Sequence, residues 1–173
     1  DDLKLYLPNG SSYTETFRTA DMIAVLKGCS DAVDLLSKEG LEVFANSGTL
    51  LGLVREGAFL EHDNDIDLGV ILEAQTEKDA AEEWITLCEK LIAQGLAQSR
   101  SEWSKVTLKL DAVLGFGVDL FPAWISADDS VYVYPHTYGN LTKSQLFPFK
   151  THGDTGLKMP ADSKAMLASN YGD

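Results

Sequence analysis

Residues 65 to 72, DIDLGVIL, place the strongest constraint on how this chain folds. Asp65 and Asp67 alternate with apolar Ile66 and Leu68, and the alternation continues to Val70. Because successive side chains of a strand point to opposite faces of a sheet, this period of two predicts a strand with both carboxylates on one face. The two aspartates are therefore expected side by side.

Two unpaired carboxylates a few ångströms apart resist ionisation unless a cation lies between them. Oxygen ligands suit Mg²⁺ or Mn²⁺, so the pair indicates a metal site. Asp119 is a candidate third ligand, because it alternates with apolar Val118 and Leu120 and could face the same side. An alternative interpretation is that Asp63, with the pair, forms a solvated loop or a helix N-cap cluster.

The remaining patterns predict helices and further strands. Residues 19 to 39 and 76 to 94 carry amphipathic stripes that end at Gly40 and Gly95. The expected stripes are Met22, Leu26, Cys29, Val33 and Leu36 in the first helix, and Ala81, Trp84, Cys88 and Leu91 in the second. The segment TLLGLVRE predicts one or two packed helical turns, and a short helix is expected from about Asp162.

Residues 41 to 46 predict a strand that precedes the turn at Ser47 and Gly48. Residues 105 to 110, 116 to 124 and 130 to 135 predict strands that form a largely antiparallel second half of the sheet. The element order indicates an α+β fold, a mixed sheet flanked by helices. At 173 residues without an interior linker, the chain is expected to form one domain, 1–173.

Composition excludes several classes of function. The formal net charge is −13 and no basic run is present, so a nucleic-acid polymer would be repelled. No apolar run reaches the roughly 18 residues of a membrane span. Cys29 and Cys88 fall inside helical patterns and do not make a disulfide framework. The chain starts at Asp1 without methionine, which is typical of a segment excised from a longer protein.

Three stretches together resemble the LicD family, which includes phosphocholine transferases of bacterial surface glycans and fukutin-type phospho-ribitol transferases. They are SGTLLGLVREGAFLEHDNDIDLGV at 47 to 70, VDLFPAW at 118 to 124, and the closing segment from Leu146 that ends in Tyr-Gly-Asp. The resemblance implies a nucleotidyltransferase fold of the DNA polymerase beta type, in which Asp65, Asp67 and Asp119 would be catalytic metal ligands.

The resemblance also implies an activity, the transfer of a phospho-alcohol from a CDP-activated donor to a glycan hydroxyl, with Mg²⁺ or Mn²⁺ as cofactor. Gly48 and Thr49 would then approach the donor's phosphates. The implied location is the cytoplasm for a bacterial protein and the Golgi lumen for a fukutin-type one. This sequence departs from the family at Asn64, which interrupts an acidic triplet, and at His62, where an aromatic residue is common.

Two other functions use the same fold. A nucleotidyltransferase would move NMP from an NTP to a small molecule with the same three carboxylates. A non-catalytic glycan-binding domain would keep the fold without turnover, although the presence of all three aspartates argues against it.

The expected substrate-binding residues are Gly48, Thr49, Arg55, His62, Asp63 and Lys109. Arg55 either contacts a donor phosphate or pairs with a nearby acidic residue such as Glu56. Lys105 and Lys109 either reach the nucleotide or cover an exposed sheet face, and His62 is either a proton shuttle or a structural hydrogen-bond partner. The aromatic residues that could cage a quaternary ammonium group, or simply fill the core, are Trp103, Trp124, Tyr132, Tyr134 and Tyr138.

Overall fold

The computed structural model describes residues 16–97, 106–110 and 117–172. Its helices are α1 (Met22–Lys38), α2 (Ser47–Arg55), α3 (Glu77–Ala93), α4 (Lys143–Leu146) and α5 (Ser163–Tyr171). Its strands are β1 (Glu42–Ala45), β2 (Asp65–Ile71), β3 (Leu108–Leu110), β4 (Gly117–Ile125), β5 (Ser130–Val133), β6 (Thr137–Thr142), β7 (Lys150–Thr151) and β8 (Lys158–Met159).

In the described part of the chain, six strands form one mixed sheet. The order is β1-β2-β4-β5-β6, and β3 pairs with β4. Strands β2 and β4 are parallel, whereas every other pair in this sheet is antiparallel. The predicted α+β class and the antiparallel second half of the sheet are confirmed. A separate β7-β8 hairpin precedes α5, which begins at Ser163, close to the predicted start at about Asp162.

The residues of β2 alternate between the two faces of the sheet. Ile66, Leu68 and Val70 are fully buried, while the opposite face carries Asp65, Asp67 and Gly69. A Cβ atom at Gly69 would lie 2.4 Å from the Phe44 ring of β1, so only glycine permits this close approach. The ring therefore packs directly beside the aspartate pair.

The long helices begin at side-chain caps. In α1 the Asp21 carboxylate accepts hydrogen bonds from the backbone N–H groups of Ile23 and Ala24, and in α3 the Thr76 hydroxyl accepts one from Asp79. The helix predicted over residues 76 to 94 thus begins directly after its Thr76 cap. Among the described helices, none combines the length and apolar character needed to cross a membrane.

The buried faces of the long helices differ in part from the predicted stripes. In α1 the buried apolar side chains are Val25, Cys29, Ala32 and Leu36, whereas Met22 is exposed. In α3 the buried residue of the first turn is Ala80, not Ala81. The other predicted positions are buried or half-buried: Leu26, Cys29, Val33 and Leu36 in α1, and Trp84, Cys88 and Leu91 in α3. Lys105 and Trp103 lie outside the described residues.

Candidate metal and phosphate site

A row of three charged side chains crosses the centre of the sheet. Parallel pairing of β2 with β4 sets Asp67 opposite Asp119, and antiparallel pairing of β3 with β4 sets Lys109 on the other side of Asp119. Paired residues of neighbouring strands point to the same face, so these three side chains must meet. Asp65, two residues before Asp67, lies on this same face.

The three carboxylates form one cluster. Oxygen atoms of Asp65, Asp67 and Asp119 all lie within 4.8 Å of one another. Asp119 is buried, and the other two are half-buried. Asp119 therefore faces the same side as the pair, as its alternation with Val118 and Leu120 predicts.

The turn from β1 into α2 holds Asp67 from two directions. The Thr49 hydroxyl accepts a hydrogen bond of 2.8 Å from the backbone N–H of Asp67, and the Gly48 N–H donates one of 3.0 Å to its Oδ2. Before them, the N–H of Asn46 donates to the backbone carbonyl of Asp67 at 3.0 Å. The predicted phosphate-binding residues Gly48 and Thr49 thus lie against the cluster, with buried Thr49 fixing the strand backbone.

Burial and mutual repulsion shape the electrostatics of the pair. Burial, followed by the charges of Asp65, Asp63 and Asp119, raises the pKa of Asp67 to about 7. Burial and a side-chain hydrogen bond with Asp63 raise the pKa of Asp65 to about 6. Without a bound cation the pair therefore resists full ionisation near neutral pH.

Lys109 gives Asp119 a different environment. Its Nζ lies 2.7 Å from both Oδ1 and Oδ2 of Asp119, and it is the basic partner in the cluster's ion pair. Burial raises the pKa of Asp119, and this ammonium group opposes the rise. The Lys109 side chain is 45% exposed, so it can leave the carboxylate and enter solvent when another cation arrives.

The donor set fits a hard divalent ion. The cluster offers carboxylate oxygens, the ligands preferred by Mg²⁺ and Mn²⁺, and all three aspartates can contribute one within a single coordination sphere. Burial first, and then neighbouring carboxylates, raise the pKa values of Asp65 and Asp67, and a divalent charge would offset both effects. The residues present are therefore compatible with the predicted metal.

The other predicted substrate-binding residues lie at different distances from the cluster. Asp63 is half-buried, and its carboxylate approaches both Gly48 and Asp65. Arg55 is exposed at the end of α2 and pairs with Glu56 at 2.7 Å, which is the ion-pair alternative raised from the sequence. His62 is exposed in the loop before β2.

Three of the aromatic residues considered for a cation cage, Trp124, Tyr134 and Tyr138, line one pocket together with Trp84. Trp124 and Tyr132 stack on each other, with ring centroids 4.9 Å apart and an interplanar angle of 4°. Tyr134 instead stacks with Phe121, at 6.3 Å. Tyr138 is exposed on β6. The two stacked pairs are sheet packing, and the use of the pocket as a cation cage stays a prediction.

Two residues beside the cluster are missed by reasoning from the sequence. Buried Asn46 donates to the backbone carbonyl of Tyr134 and accepts from the side-chain amide of Asn170. Tyr171 ends α5, and its pKa is raised by burial and by the charges of Asp67 and Asp63. The Tyr-Gly-Asp ending marks Tyr171 in the sequence, but only the long-range contacts show that it approaches the aspartates.

Gly48→Ala tests the close approach of the turn to the cluster. The new methyl group would lie 2.8 Å from Asp63 Oδ2 and 3.3 Å from Asp67 Oδ2, so both carboxylates must shift. We expect Mn²⁺ affinity to fall roughly tenfold, while unfolding free energy changes by less than about 1 kcal/mol because Asp63 can swing toward solvent. Titration of Mn²⁺ by electron paramagnetic resonance measures the first quantity and chemical denaturation the second.

The matched control is Gly153→Ala, where a Cβ atom meets nothing within 4 Å. It should bind Mn²⁺ like the wild type. Unchanged Mn²⁺ affinity in Gly48→Ala would contradict the placement of Gly48 against the metal ligands.

Comparison with known proteins identifies the family. A sequence model described as the LicD/FKTN/FKRP nucleotidyltransferase domain matches residues 40–162. A comparison with curated protein sequences gives no match.

Two solved structures are similar to this chain at 16% identity. One is a STING-associated CdnE c-di-GMP synthase from Capnocytophaga granulosa, with a TM-score of 0.46 over 67% of this chain and 40% of that one. The other is CdnC with ATP from E. coli MS115-1, with a TM-score of 0.40 over 88% of this chain and 44% of that one. The chain thus spans less than half the length of either protein.

The family match covers β1, α2, the aspartates of β2 and β4, and the β7-β8 hairpin. Its description names a nucleotidyltransferase domain, which agrees with the fold implied by the sequence motifs and places the chain among transferase domains. The mixed sheet and the carboxylate cluster lie within the matched residues. The chain belongs to the LicD/FKTN/FKRP family of nucleotidyltransferase domains.

Proposed function

We propose that this domain is a metal-dependent phosphotransferase that moves a phospho-alcohol from a CDP-activated donor to a glycan hydroxyl. The observation that supports it most is the cluster of Asp65, Asp67 and Asp119 within a LicD-family domain. The transferred group is phosphocholine or a phospho-alditol such as phospho-ribitol. The acceptor oxygen bonds to the phosphorus of that group, the bond from this phosphorus to the bridging oxygen breaks, and CMP leaves.

The three aspartates hold the cofactor in this proposal. A divalent ion bound by Asp65, Asp67 and Asp119 neutralises phosphate charge in the donor and in the transition state. The protein's own contribution is to fix these ligands on rigid strands, which positions the reactants before the reaction. The net charge of −13 makes such neutralisation necessary, because the phosphates of the donor would otherwise meet a repulsive field.

The other polar groups near the cluster have distinct roles. Gly48 and Thr49 bring the start of α2 toward the donor's phosphates, and a helix N-terminus favours an anion. Lys109, displaced from Asp119, reaches a phosphate oxygen. Asp119 lies deepest and accepts the proton of the attacking hydroxyl as general base. Asp63 and His62 contact the donor from the segment before β2 in this proposal, and Arg55, released from Glu56, contacts a phosphate.

A nucleotidyltransferase reaction is the second candidate, because the matching family description names that class. In that reaction NMP moves from an NTP to a small acceptor, and pyrophosphate leaves. Phosphorus NMR separates the two candidates by product. With Mg²⁺ and a glycan acceptor, CDP-choline or CDP-ribitol should yield CMP, and ATP or CTP should yield no pyrophosphate. Pyrophosphate release without CMP formation from either CDP donor would favour the second candidate instead.

Binding of the nucleotide should depend on the metal. At a CDP concentration about 100 times its dissociation constant, with Mg²⁺ or Mn²⁺, the melting temperature should rise by roughly 5–10 °C. The shift should vanish with EDTA, because the phosphates then face unneutralised carboxylates. Differential scanning fluorimetry measures both conditions. An equal shift with EDTA present would show that the metal does not join the nucleotide to the aspartates.

A further inference from the structure

Two exposed aromatic rings lie together at the end of the last helix. The rings of His136, between β5 and β6, and Tyr171, at the end of α5, have centroids 6.3 Å apart and a tilt of 44°. Tyr171 is 53% exposed, and His136 is exposed. Exposed aromatic surface of this kind contributes little to the core and is available to a ligand.

The helix that carries Tyr171 is fixed in place. Met166 is buried, and the Ser169 hydroxyl contacts the Thr137 hydroxyl at 3.1 Å and the Asn140 side-chain amide at 2.9 Å. The Asn170 amide donates to Asn46 Oδ1 at 3.5 Å. The last turn of α5 is thus joined both to β6 and to the start of α2, so the phenol ring stands on a rigid support.

These contacts place the end of α5 beside the turn that holds Asp67. The Asn46 side chain accepts a hydrogen bond from Asn170, the residue before Tyr171. The backbone N–H of Asn46 donates to the backbone carbonyl of Asp67. Two residues later, the Gly48 N–H reaches the carboxylate of Asp67. Burial, followed by the negative charges of Asp67 and Asp63, raises the pKa of Tyr171, so the phenol lies within electrostatic reach of these carboxylates.

We propose that Tyr171, with His136 beside it, is the stacking surface for the base of a nucleoside diphosphate whose phosphates bind at the carboxylate cluster. The inference rests on the proposed function. A nucleotide anchored by its phosphates near Asp67 extends its ribose and base away from the cluster. The base is flat and needs an aromatic or apolar face, and the exposed ring of Tyr171 provides one at the rim of the site.

The expected contribution is measurable. Stacking of a base on an aromatic side chain accounts for roughly a ten- to hundredfold difference in affinity when the side chain is replaced by alanine. A base contact of this type depends on the ring and not on the hydroxyl group. Phenylalanine should therefore replace Tyr171 without loss.

The test compares two ligands that share phosphates but differ in the base. Isothermal titration with Mg²⁺ present measures the affinity of CDP and of inorganic pyrophosphate for the wild type, Tyr171→Ala and Tyr171→Phe. The matched control is Tyr138→Ala. Tyr138 is also an exposed tyrosine. Because Thr137, the preceding residue of β6, faces α5, the Tyr138 side chain points to the sheet face away from α5.

Tyr171→Ala should lose at least about tenfold in CDP affinity and keep the pyrophosphate affinity of the wild type. Tyr171→Phe and Tyr138→Ala should bind both ligands normally. Unchanged CDP affinity in Tyr171→Ala, or an equal loss for both ligands, would overturn the stacking role. A wild type that binds CDP no more tightly than pyrophosphate would also overturn the stacking role. That result would not contradict the metal and phosphate site. A wild type that binds neither ligand would overturn the proposed function together with this inference.

Discussion

Asp67→Asn should abolish turnover, with a loss of kcat of at least about 10³-fold when Mg²⁺ is saturating. Asp67 is the ligand at the centre of the cluster, between Asp65 on its own strand and Asp119 on β4. The amide keeps the size of the side chain and can still meet the Gly48 N–H through its oxygen. It lacks the negative charge that holds a divalent ion.

The same substitution should stabilise the metal-free protein. Burial and neighbouring carboxylates raise the pKa of Asp67 from 3.8 to about 7, so the folded state binds this proton more tightly than the unfolded state. Ionisation therefore lowers the free energy of unfolding progressively as pH rises from about 4 to about 7. At about pH 7.5 with EDTA, the variant should exceed the wild type by on the order of 2 kcal/mol, and the difference should disappear near pH 4.

Urea unfolding across this pH range measures the stability, and the phosphotransfer assay measures turnover. Asp34→Asn, an exposed change on α1, is the control for loss of one negative charge, and it should alter neither quantity. A metal-free Asp67→Asn protein that is less stable than the wild type at neutral pH would contradict the repulsion described for the pair. Turnover near that of the wild type would contradict its role as a ligand.

Asp119→Ala should lower kcat/KM by roughly 10³-fold, which corresponds to about 4 kcal/mol of transition-state stabilisation. The substitution removes one metal ligand and the proposed general base. Donor binding should weaken much less, because Asp65 and Asp67 still provide two carboxylates for one ion. The released Lys109 is 45% exposed and can turn to solvent, so the fold should survive.

Steady-state kinetics separate these effects, because kcat should fall far more than the donor affinity. Lys109→Met serves as the comparison: it frees Asp119 for the metal but removes the proposed phosphate contact, so its main effect should be weaker donor binding. If Asp119→Ala weakened donor binding as strongly as it reduced kcat, Asp119 would act in binding alone.

The faces of Asp65, Asp67 and Asp119 were predictable, because β2 and β4 each show a clear period of two. Alternation with buried Ile66 and Leu68 assigns Asp65 and Asp67 to one face of β2. Alternation with buried Val118 and Leu120 likewise assigns Asp119 to one face of β4. The side-by-side placement of Asp67 and Asp119 depends on the parallel register of β2 and β4. No local pattern encodes that register, so here the sequence motif of the family was decisive.

The contacts of Lys109, Asn46 and Tyr171 could not be read from local sequence. Lys109 was expected near a nucleotide or on an exposed face, but the register of β3 sets it against Asp119. Asn46 is buried because its partners Tyr134 and Asn170 arrive from positions 88 and 124 residues away. Such contacts depend on tertiary packing and leave no periodic signal.

Helix faces were predicted only approximately for the same reason. A stripe at three- and four-residue spacing fixes a helix face only approximately, so packing decides which residue of the first turn is buried: Val25 and not Met22 in α1, and Ala80 and not Ala81 in α3. The helix α2 follows the predicted packed turn and runs for nine residues. Ser47 at its start has φ 41°, an uncommon conformation for a residue with a side chain, and one that tertiary contacts must hold.

Mn²⁺ binding measured by electron paramagnetic resonance tests the three-carboxylate metal site without donor or acceptor. We expect the wild type to bind Mn²⁺, Mg²⁺ to compete for the same site, and the double variant Asp65→Asn/Asp67→Asn to lose the binding. Asp119→Ala should bind at least about tenfold more weakly than the wild type. Equal Mn²⁺ affinity in the wild type and the double variant would contradict the assignment of the three carboxylates as a metal site.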